Sequence, residues 1–450
     1  MLRRLRELRR YPSAIAGLAI ILLLVGISVV TVIALPYGEA IRLWRGGPGV
    51  WDLNPRNAVP AWFDLFTGER LARTIVVSTA DAAEKTVEPL GDGRNRVRIT
   101  LPFDYPYDQF PSEITLFSEA IFEGPTRPRL SVTWGNPAGK TVTVATGRVM
   151  RATDIFSISQ DTRLLREMGT LTEVALFSDA ALLVPPIRPA ELDPVKGRYE
   201  VVVETIIPEG GDFNTKLVVY GRAHGWAGTD HRRRDITVAL LWGTPLALIF
   251  GLLAAVGSSM TTFVLSGIGT WFGGKVDALF ERITEVNMVI PMLPILIMVG
   301  QFYSRSIWVI LGLVIVLSIF GAAMKTYRAM FLQAKEAPYI EAARAYGAGN
   351  LRVVFRYLLP RIVPVLLPAF VLVVPAFVFL EATLAVIGLG DPVLPTWGKI
   401  IHDAQVNDAL FKGMYYWIIQ PAILLMGTGF SFAMVGFALD RVFNPRLRTV

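Results

Sequence analysis

The chain has 450 residues, of which 53% are hydrophobic and only 18% charged, below the charged share of about 25% usual for soluble domains. It contains no cysteine, which excludes a disulfide framework, a thiolate metal site and a cysteine nucleophile. The net charge of +7 gathers beside apolar runs, where basic residues mark the cytoplasmic side of a membrane rather than a nucleic-acid surface.

In chain order, the basic stretch Met1–Arg10 precedes an apolar run from about Ala14 to Leu35, long enough for a helix of about 20 residues to cross a hydrocarbon layer of ~30 Å. The run ends in Leu35-Pro36-Tyr37 rather than in small residues at a cleavage site, so residues 1–36 predict a retained anchor with its N-terminus inside. From 37 to 234 the chain turns polar and rich in Gly, Pro and Asp. The β-branched runs Val97–Leu101, Leu130–Trp134, Thr141–Ala145 and Tyr199–Glu204 are separated by turn signals such as Gly135–Gly139. They predict a β-rich, sandwich-like domain, extracytoplasmic because the helix before it runs outward. Residues 235–450 hold further apolar spans near Ile236–Met260, Ile283–Phe302, Ile307–Met330, Val363–Leu389 and Tyr415–Leu439, giving about six crossings and cytoplasmic termini. The loop over about 331–362 carries Lys335, Arg344, Arg352, Arg356 and Arg361 against Glu336 and Glu341, whereas the loop after the fifth span sets Lys399 and Lys412 against Asp391, Asp403 and Asp408. That asymmetry follows the positive-inside rule. The cluster His231–Arg234 runs against it, which a large translocated domain tolerates.

Within the basic loop stands Glu341-Ala342-Ala343-Arg344-Ala345-Tyr346-Gly347, followed after nine residues by Tyr357-Leu358-Leu359-Pro360. Pro338 suits a first helical position, Gly347 a left-handed helix end and Asn350 the cap of a second helix, so the segment predicts helix, turn, helix. Glu-Ala-Ala alone is ordinary helix-forming sequence; its spacing from the Gly and the Leu-Pro makes the pattern specific. These residues resemble the EAA loop of bacterial ABC importer permeases, with Tyr357 in place of its Ile. The resemblance implies that the first short helix is a coupling helix seated in a groove of a separate ATPase, with Glu341, Ala342, Ala343 and Gly347 at the contact and Leu359 and Pro360 closing the motif.

Three further stretches narrow the resemblance to the C-type permease of the dipeptide, oligopeptide and nickel importers. Gly228-Thr229-Asp230 and Arg234-Asp235 are similar to the family's lead into the second span, with Arg233 where the family has Gly. Glu381-Ala-Thr-Leu384, Gly388-Leu-Gly390 and Trp397-Gly398 resemble elements at the outer end of the fifth span, and Asn444-Pro-Arg446 resembles a terminal Asp-Pro-Arg. The resemblance covers the first span and the chain from about His224 onward. The domain between has no counterpart in the usual member, and its expected role is to dock the substrate-binding protein or cap the outer mouth.

Other signals are weaker. Gly269–Val276 approaches a Walker A loop, but Val276 replaces the Mg²⁺-binding Ser/Thr and no βαβ context surrounds it. Glu381 in an apolar stretch is costly enough to be a functional candidate, although anchoring near a helix end is favoured over substrate contact. His224, His231 and His402 lack the spacing of a closed metal site. Pro291, Pro294, Pro368 and Pro375 are read as kinks in spanning helices, and Trp397, Tyr415 and Trp417 as an aromatic belt.

The expected protein is thus an α-helical polytopic membrane protein of ABC importer permease fold with an inserted β-rich domain, located in a prokaryotic cytoplasmic (inner) membrane. The resemblance implies a second permease subunit in a heterodimer, two ATPase subunits holding ATP and Mg²⁺, and an extracytoplasmic substrate-binding protein. Membrane lipid surrounds it, and this chain has no cofactor, metal, nucleic-acid or catalytic site of its own. The cargo is a peptide or a related small solute such as a nickel chelate or sugar. The alternative is a membrane-anchored ligand receptor or assembly factor, which has no need of an EAA loop; a secondary transporter would show internal repeats.

Overall fold

The computed structural model describes residues 11–80, 84–122, 127–178 and 192–443. The basic N-terminal run and Asn444–Arg446 lie outside the described residues. The chain divides into two compact units, residues 11–45 with 238–443, and residues 46–237.

The first unit begins with α1 (Pro12–Ala34), a 23-residue helix with Pro at its N-terminus. Gly17 lets α1 approach a later helix closely, because a Cβ there would sit 2.7 Å from the Ser431 carbonyl oxygen. A nine-residue amphipathic helix α2 (Tyr37–Arg45) follows, with Ala40 and Trp44 buried. Ala40 joins a core with Leu24 and Trp242, and Tyr37 meets Trp242 edge-on at 5.8 Å. The polar stretch expected from Tyr37 therefore separates as a unit only from residue 46, since the apolar face of α2 is buried among the apolar helices.

The described residues of 46–237 carry nine strands and three short α-helices: α3 (Asp64–Thr67), β1 (Ile75–Ser78), β2 (Glu84–Pro89), β3 (Arg94–Tyr105), β4 (Glu113–Ile121), β5 (Arg129–Gly135), β6 (Thr141–Val149), β7 (Thr153–Ser157), α4 (Thr162–Met168), α5 (Thr172–Phe177), β8 (Gly197–Pro208) and β9 (Asp212–Tyr220). They form a four-stranded sheet in the order β1-β9-β4-β7 and a five-stranded sheet in the order β2-β3-β8-β5-β6, with antiparallel pairings throughout these ladders. The long pair β3–β8 runs in register from Arg94↔Pro208 to Tyr105↔Gly197. Period-two alternation sends Val97, Ile99, Leu101, Tyr199, Val201 and Val203 inward, while Arg98 and Glu204, paired across the strands, stay on the other face at 3.6 Å. The inner faces of both sheets share one core, in which Phe103, Trp134, Phe177 and Tyr199 pack as an aromatic cluster.

The remaining helices are α6 (Ile236–Phe272), α7 (Gly274–Val289), α8 (Met292–Phe302), α9 (Ile307–Ile319), α10 (Ala322–Lys335), α11 (Pro338–Ala345), α12 (Asn350–Val353), α13 (Leu359–Leu384), α14 (Trp397–Val406) and α15 (Tyr416–Phe443). Among the described residues four helical stretches are long and apolar enough to cross a membrane: α1, α6, the stretch Asn350–Leu389 and α15. The runs expected to form two further spans are each a bent helix pair, by 75° between α7 and α8, where the kink prolines Pro291 and Pro294 fall, and by 42° between α9 and α10. At the first bend Ile290 is extended (ψ 121°) before Pro291, which caps α8. A residue preceding proline is pushed out of the helical region, and proline has no N–H to continue the ladder. Pro294 follows inside α8, and Pro364, Pro368 and Pro375 lie within α13.

Candidate functional site

The coupling-type segment folds as a short exposed helix backed by a rigid floor. α11 starts with Pro338 at its first turn and ends in a Schellman arrangement. There the Ala348 N–H donates to Ala343 O at 3.0 Å and the Gly347 N–H to Arg344 O at 2.8 Å. Gly347 has φ +82°, a left-handed conformation that a side chain disfavours. The next helix is capped by Gly349, not by the expected Asn350, which is already its first helical residue and makes no cap bond.

Helical spacing divides the segment into two faces. Ile340 and Ala343, three residues apart, are buried at 1% and 7% exposure. Glu341, Ala342, Tyr346 and Gly347 are exposed, with Tyr346 at 93%. Ala343, expected among the contact residues, is buried on the same helix face as Ile340, which packs with Trp271, Phe331, Val353 and Leu358. The floor is tied by charge as well. Lys335 Nζ donates to the terminal carbonyls Thr270 O and Trp271 O of α6 at 3.0 and 3.1 Å, and the Arg344 guanidinium lies 4.7 Å from the Trp271 ring. Leu359 is buried and Pro360 exposed. A π-turn over Val354–Leu358 precedes them and widens the backbone just before Pro360, which lacks a ladder donor.

Arg328 on α10 grips Asp277 on α7 through two bonds of 2.8 and 2.6 Å, with Glu281 at 3.6 Å. The Walker-like segment is therefore a helix-to-helix junction: Gly273 and Gly274 have φ of +62° and +54°, with α6 before and α7 after them. A phosphate-cradling loop would follow a strand.

The Gly228–Asp235 stretch belongs to residues 46–237 and forms a tight loop, with Thr229 bridged to Asp235 and the Ile236 N–H donating to Gly228 O at 3.1 Å. Thr229, Asp230 and Arg234 are buried. Asp230 accepts the backbone N–H groups of Arg232 and Arg234 and pairs with Arg234 Nε at 2.5 Å. Arg233 sits at φ +65°, so the position where the family pattern has Gly is a left-handed one. The arginine is held there by Asn54 O at 2.7 Å, the Glu113 carboxylate at 2.6 Å and the Tyr220 ring at 4.0 Å.

The third group is packed rather than displayed. Trp397 is 1% exposed, donates to Leu240 O at 3.0 Å and fills the space over Gly243, whose Cβ would meet it at 2.3 Å. Trp417 is equally buried while Tyr415 is 54% exposed, so of the three only Tyr415 has the exposure of a belt residue. Gly398 allows its helix to touch Ala382, where a Cβ would lie 2.7 Å from backbone. Gly388 takes φ +91° within a second π-turn, and Gly390 abuts Ala385. Glu381 is 7% exposed, with Thr396 and Asp391 as neighbours. Sequence reasoning counted Asp391 only as a loop charge; its carboxylate accepts the N–H groups of Ile307, Val393 and Leu394 at 3.0, 2.8 and 3.3 Å and so caps α9 from a distant loop. Among the described residues no group of three His, Cys, Asp or Glu side chains is placed to hold a metal.

Residues 247–449 match the family model described as binding-protein-dependent transport system inner membrane component. The chain is 27% identical over 294 residues to the dipeptide transport system permease protein DppC of Bacillus subtilis, covering 65% of this chain and 87% of that one. It is 30% identical over 228 residues to the oligopeptide transport system permease protein OppC of the same organism, covering 50% and 72%. With the peptidoglycan transport system permease protein YejE of Agrobacterium fabrum it shares 29% identity over 223 residues, 49% of this chain and 57% of that protein's length. With the exposed coupling-type helix on its packed floor, these matches place the chain in the family of binding-protein-dependent transport system inner membrane components, the ABC importer permeases.

Proposed function

We propose that this chain forms one half of the translocation path for peptides or a related small solute, and that α11 transmits force to it from a separate ATPase. The observation that carries this reading is the two-faced α11. Its inner face carries the buried Ala343 and Ile340, which packs with Trp271 of α6 and Phe331 of α10, while Lys335 ties the end of α10 to that of α6, and its outer face exposes Glu341, Ala342 and Tyr346. A lever needs both: a rigid attachment and a free contact surface.

In this reading the helices make six crossings, each bent pair serving as one, and both termini are cytoplasmic. Residues 46–237 then lie outside the cytoplasm, where they receive a substrate-binding protein. A second, different permease subunit completes the path, and two ATPase subunits bind ATP and Mg²⁺. Closure of the ATPases on ATP moves the coupling helices and switches the bundle between inward-open and outward-open states.

The test uses the full chain co-expressed with its ATPase subunits. Tyr346→Ala and Glu341→Lys alter exposed side chains and leave the floor intact. Loss of a central aromatic anchor reduces ATPase affinity about thirtyfold, the effect of a ~2 kcal/mol contact, and lowers transport-coupled ATP hydrolysis. Undiminished co-purification and hydrolysis in both variants would sink the proposal.

A further inference from the structure

Residues 46–237 present an aromatic surface that their own core does not use. Trp226 is 81% exposed, Leu65 83% and Phe66 78%. Trp62 joins them: its Nε1 donates to Trp226 O at 2.8 Å, and its ring lies 4.8 Å from Phe63 and 5.9 Å from Phe66. The presentation is rigid. The Ala61 N–H donates to Gly225 O at 2.8 Å, and Arg73 binds both Asp64 at 2.5 Å and Ala61 O at 2.8 Å. A mobile loop could fold such side chains away, whereas this pinned turn holds them outward.

Two observations indicate what covers the patch. The first is its place in the chain. Gly228 O bonds to the N–H of Ile236, the first residue of α6, and Trp226 is two residues from Gly228, within about 7 Å of chain. Trp226 therefore lies close to Ile236, the first residue of a helix apolar enough to span a membrane, and Trp side chains concentrate at the level where such helices enter. The second is charge. Phe63 and Thr67 of the same turn also line a cleft of about 390 Å³ that holds Arg56 and Arg222. Rings beside guanidinium groups match the headgroup layer, with apolar bodies toward the acyl boundary and cations toward phosphate.

We propose that Trp62, Leu65, Phe66 and Trp226 form an interfacial anchor that seats this domain in the outer-leaflet headgroup layer, with Arg56 and Arg222 facing lipid phosphates. The proposal rests on the reading above that α6 enters the membrane from its outer side at Ile236.

The absence of native cysteine allows single nitroxide labels on the full chain. Leu65→Cys and Phe66→Cys report the patch, and Glu88→Cys, on the exposed strand β2, serves as the aqueous reference. In nanodiscs of phosphatidylethanolamine and phosphatidylglycerol, the ratio of relaxation by oxygen to relaxation by a water-soluble nickel chelate is expected to be about fivefold higher at the patch than at the reference, because oxygen concentrates below the headgroups. Patch labels as open to nickel as the reference overturn the proposal. So do patch labels shielded from both agents, the signature of a protein partner. A membrane-impermeant maleimide on intact spheroplasts tests topology separately: labelling of Glu88→Cys from outside supports the outer leaflet, and labelling only after permeabilisation overturns that assignment whatever the depth ratio.

Discussion

Replacing Arg233 separates backbone strain from side-chain bonding in one experiment. At φ +65° a non-glycine residue is disfavoured by about 1–2 kcal/mol. The side chain offsets this with a charge-assisted bond to Glu113, in which both partners are only 13% and 12% exposed, a bond to Asn54 O and a stacked contact on Tyr220. Charge-assisted bonds contribute about 1.5–3 kcal/mol, a neutral-acceptor bond about 1, and the ring contact about 0.5–1. Arg233→Ala keeps the strain and loses all three contacts, so the 46–237 unit should lose about 3–5 kcal/mol. Arg233→Gly loses the same contacts but relieves the strain, less about 0.4–1 kcal/mol of added unfolded-state entropy, and should lose about 1 kcal/mol less than the alanine variant. By thermal unfolding of the purified full chain in detergent, at ~2–4 °C per kcal/mol for a unit of this size, the alanine variant should fall by about 6–20 °C. A glycine variant less stable than the alanine variant, or an alanine variant matching the wild type, would refute the reasoning.

Other substitutions probe packing, capping and titration. Gly398→Val places a side chain against the backbone of Ala382 and should cost about 1–3 kcal/mol through overpacking, read as a lowered melting point, with Gly398→Ala milder. Asp391→Ala strands three N–H donors and should destabilise the helical unit by about 2–3 kcal/mol, with Asp391→Asn closer to wild type, since its oxygen still accepts. Burial lowers the pKa of His224 below 6.5, Asp235 opposing and Arg73 assisting. Its folded pKa being the lower one, the stability it contributes is fully present above pH ~6.5 and is lost as pH falls through the folded value. His224→Gln should flatten the decline of the 46–237 melting point between pH 7 and 5. Glu173, raised by burial, acts with the opposite sign, contributing stability below pH ~4.5 that is lost as pH rises through its raised folded value, so the comparison of the two proteins at each pH isolates the histidine.

Local sequence carried the helical half well where one residue type decides the geometry. Pro338 and Gly347 bound a short helix because of their own backbone preferences, and Gly349 took the cap from Asn350 because capping depends on the neighbouring conformation. All four β-branched runs singled out from sequence fall in the five-stranded sheet. The other sheet was passed over: Glu113–Ile121 and Asp212–Tyr220 mix Ser, Glu, Ala, Asn and Lys among their apolar residues. Their strand state is completed by pairing with each other across about a hundred residues.

Hydrophobic run length, charge asymmetry and the spacing from Glu341 to Pro360 were sufficient to reach a membrane permease, because a bilayer imposes length and polarity on any chain that crosses it. Tertiary structure alone decided the rest. Ala342 and Ala343 are chemically identical neighbours, yet only Ala343 is buried, because it shares a helix face with Ile340. Arg233 reads as one basic residue among three, and its left-handed backbone is sustained by Asn54 and Glu113, 179 and 120 positions away. Trp397 and Trp226 look alike in sequence, while one fills the space over a glycine and the other stands in the open. Which side chains are covered depends on the partners that distant segments bring, and a residue's own chemistry does not specify those partners.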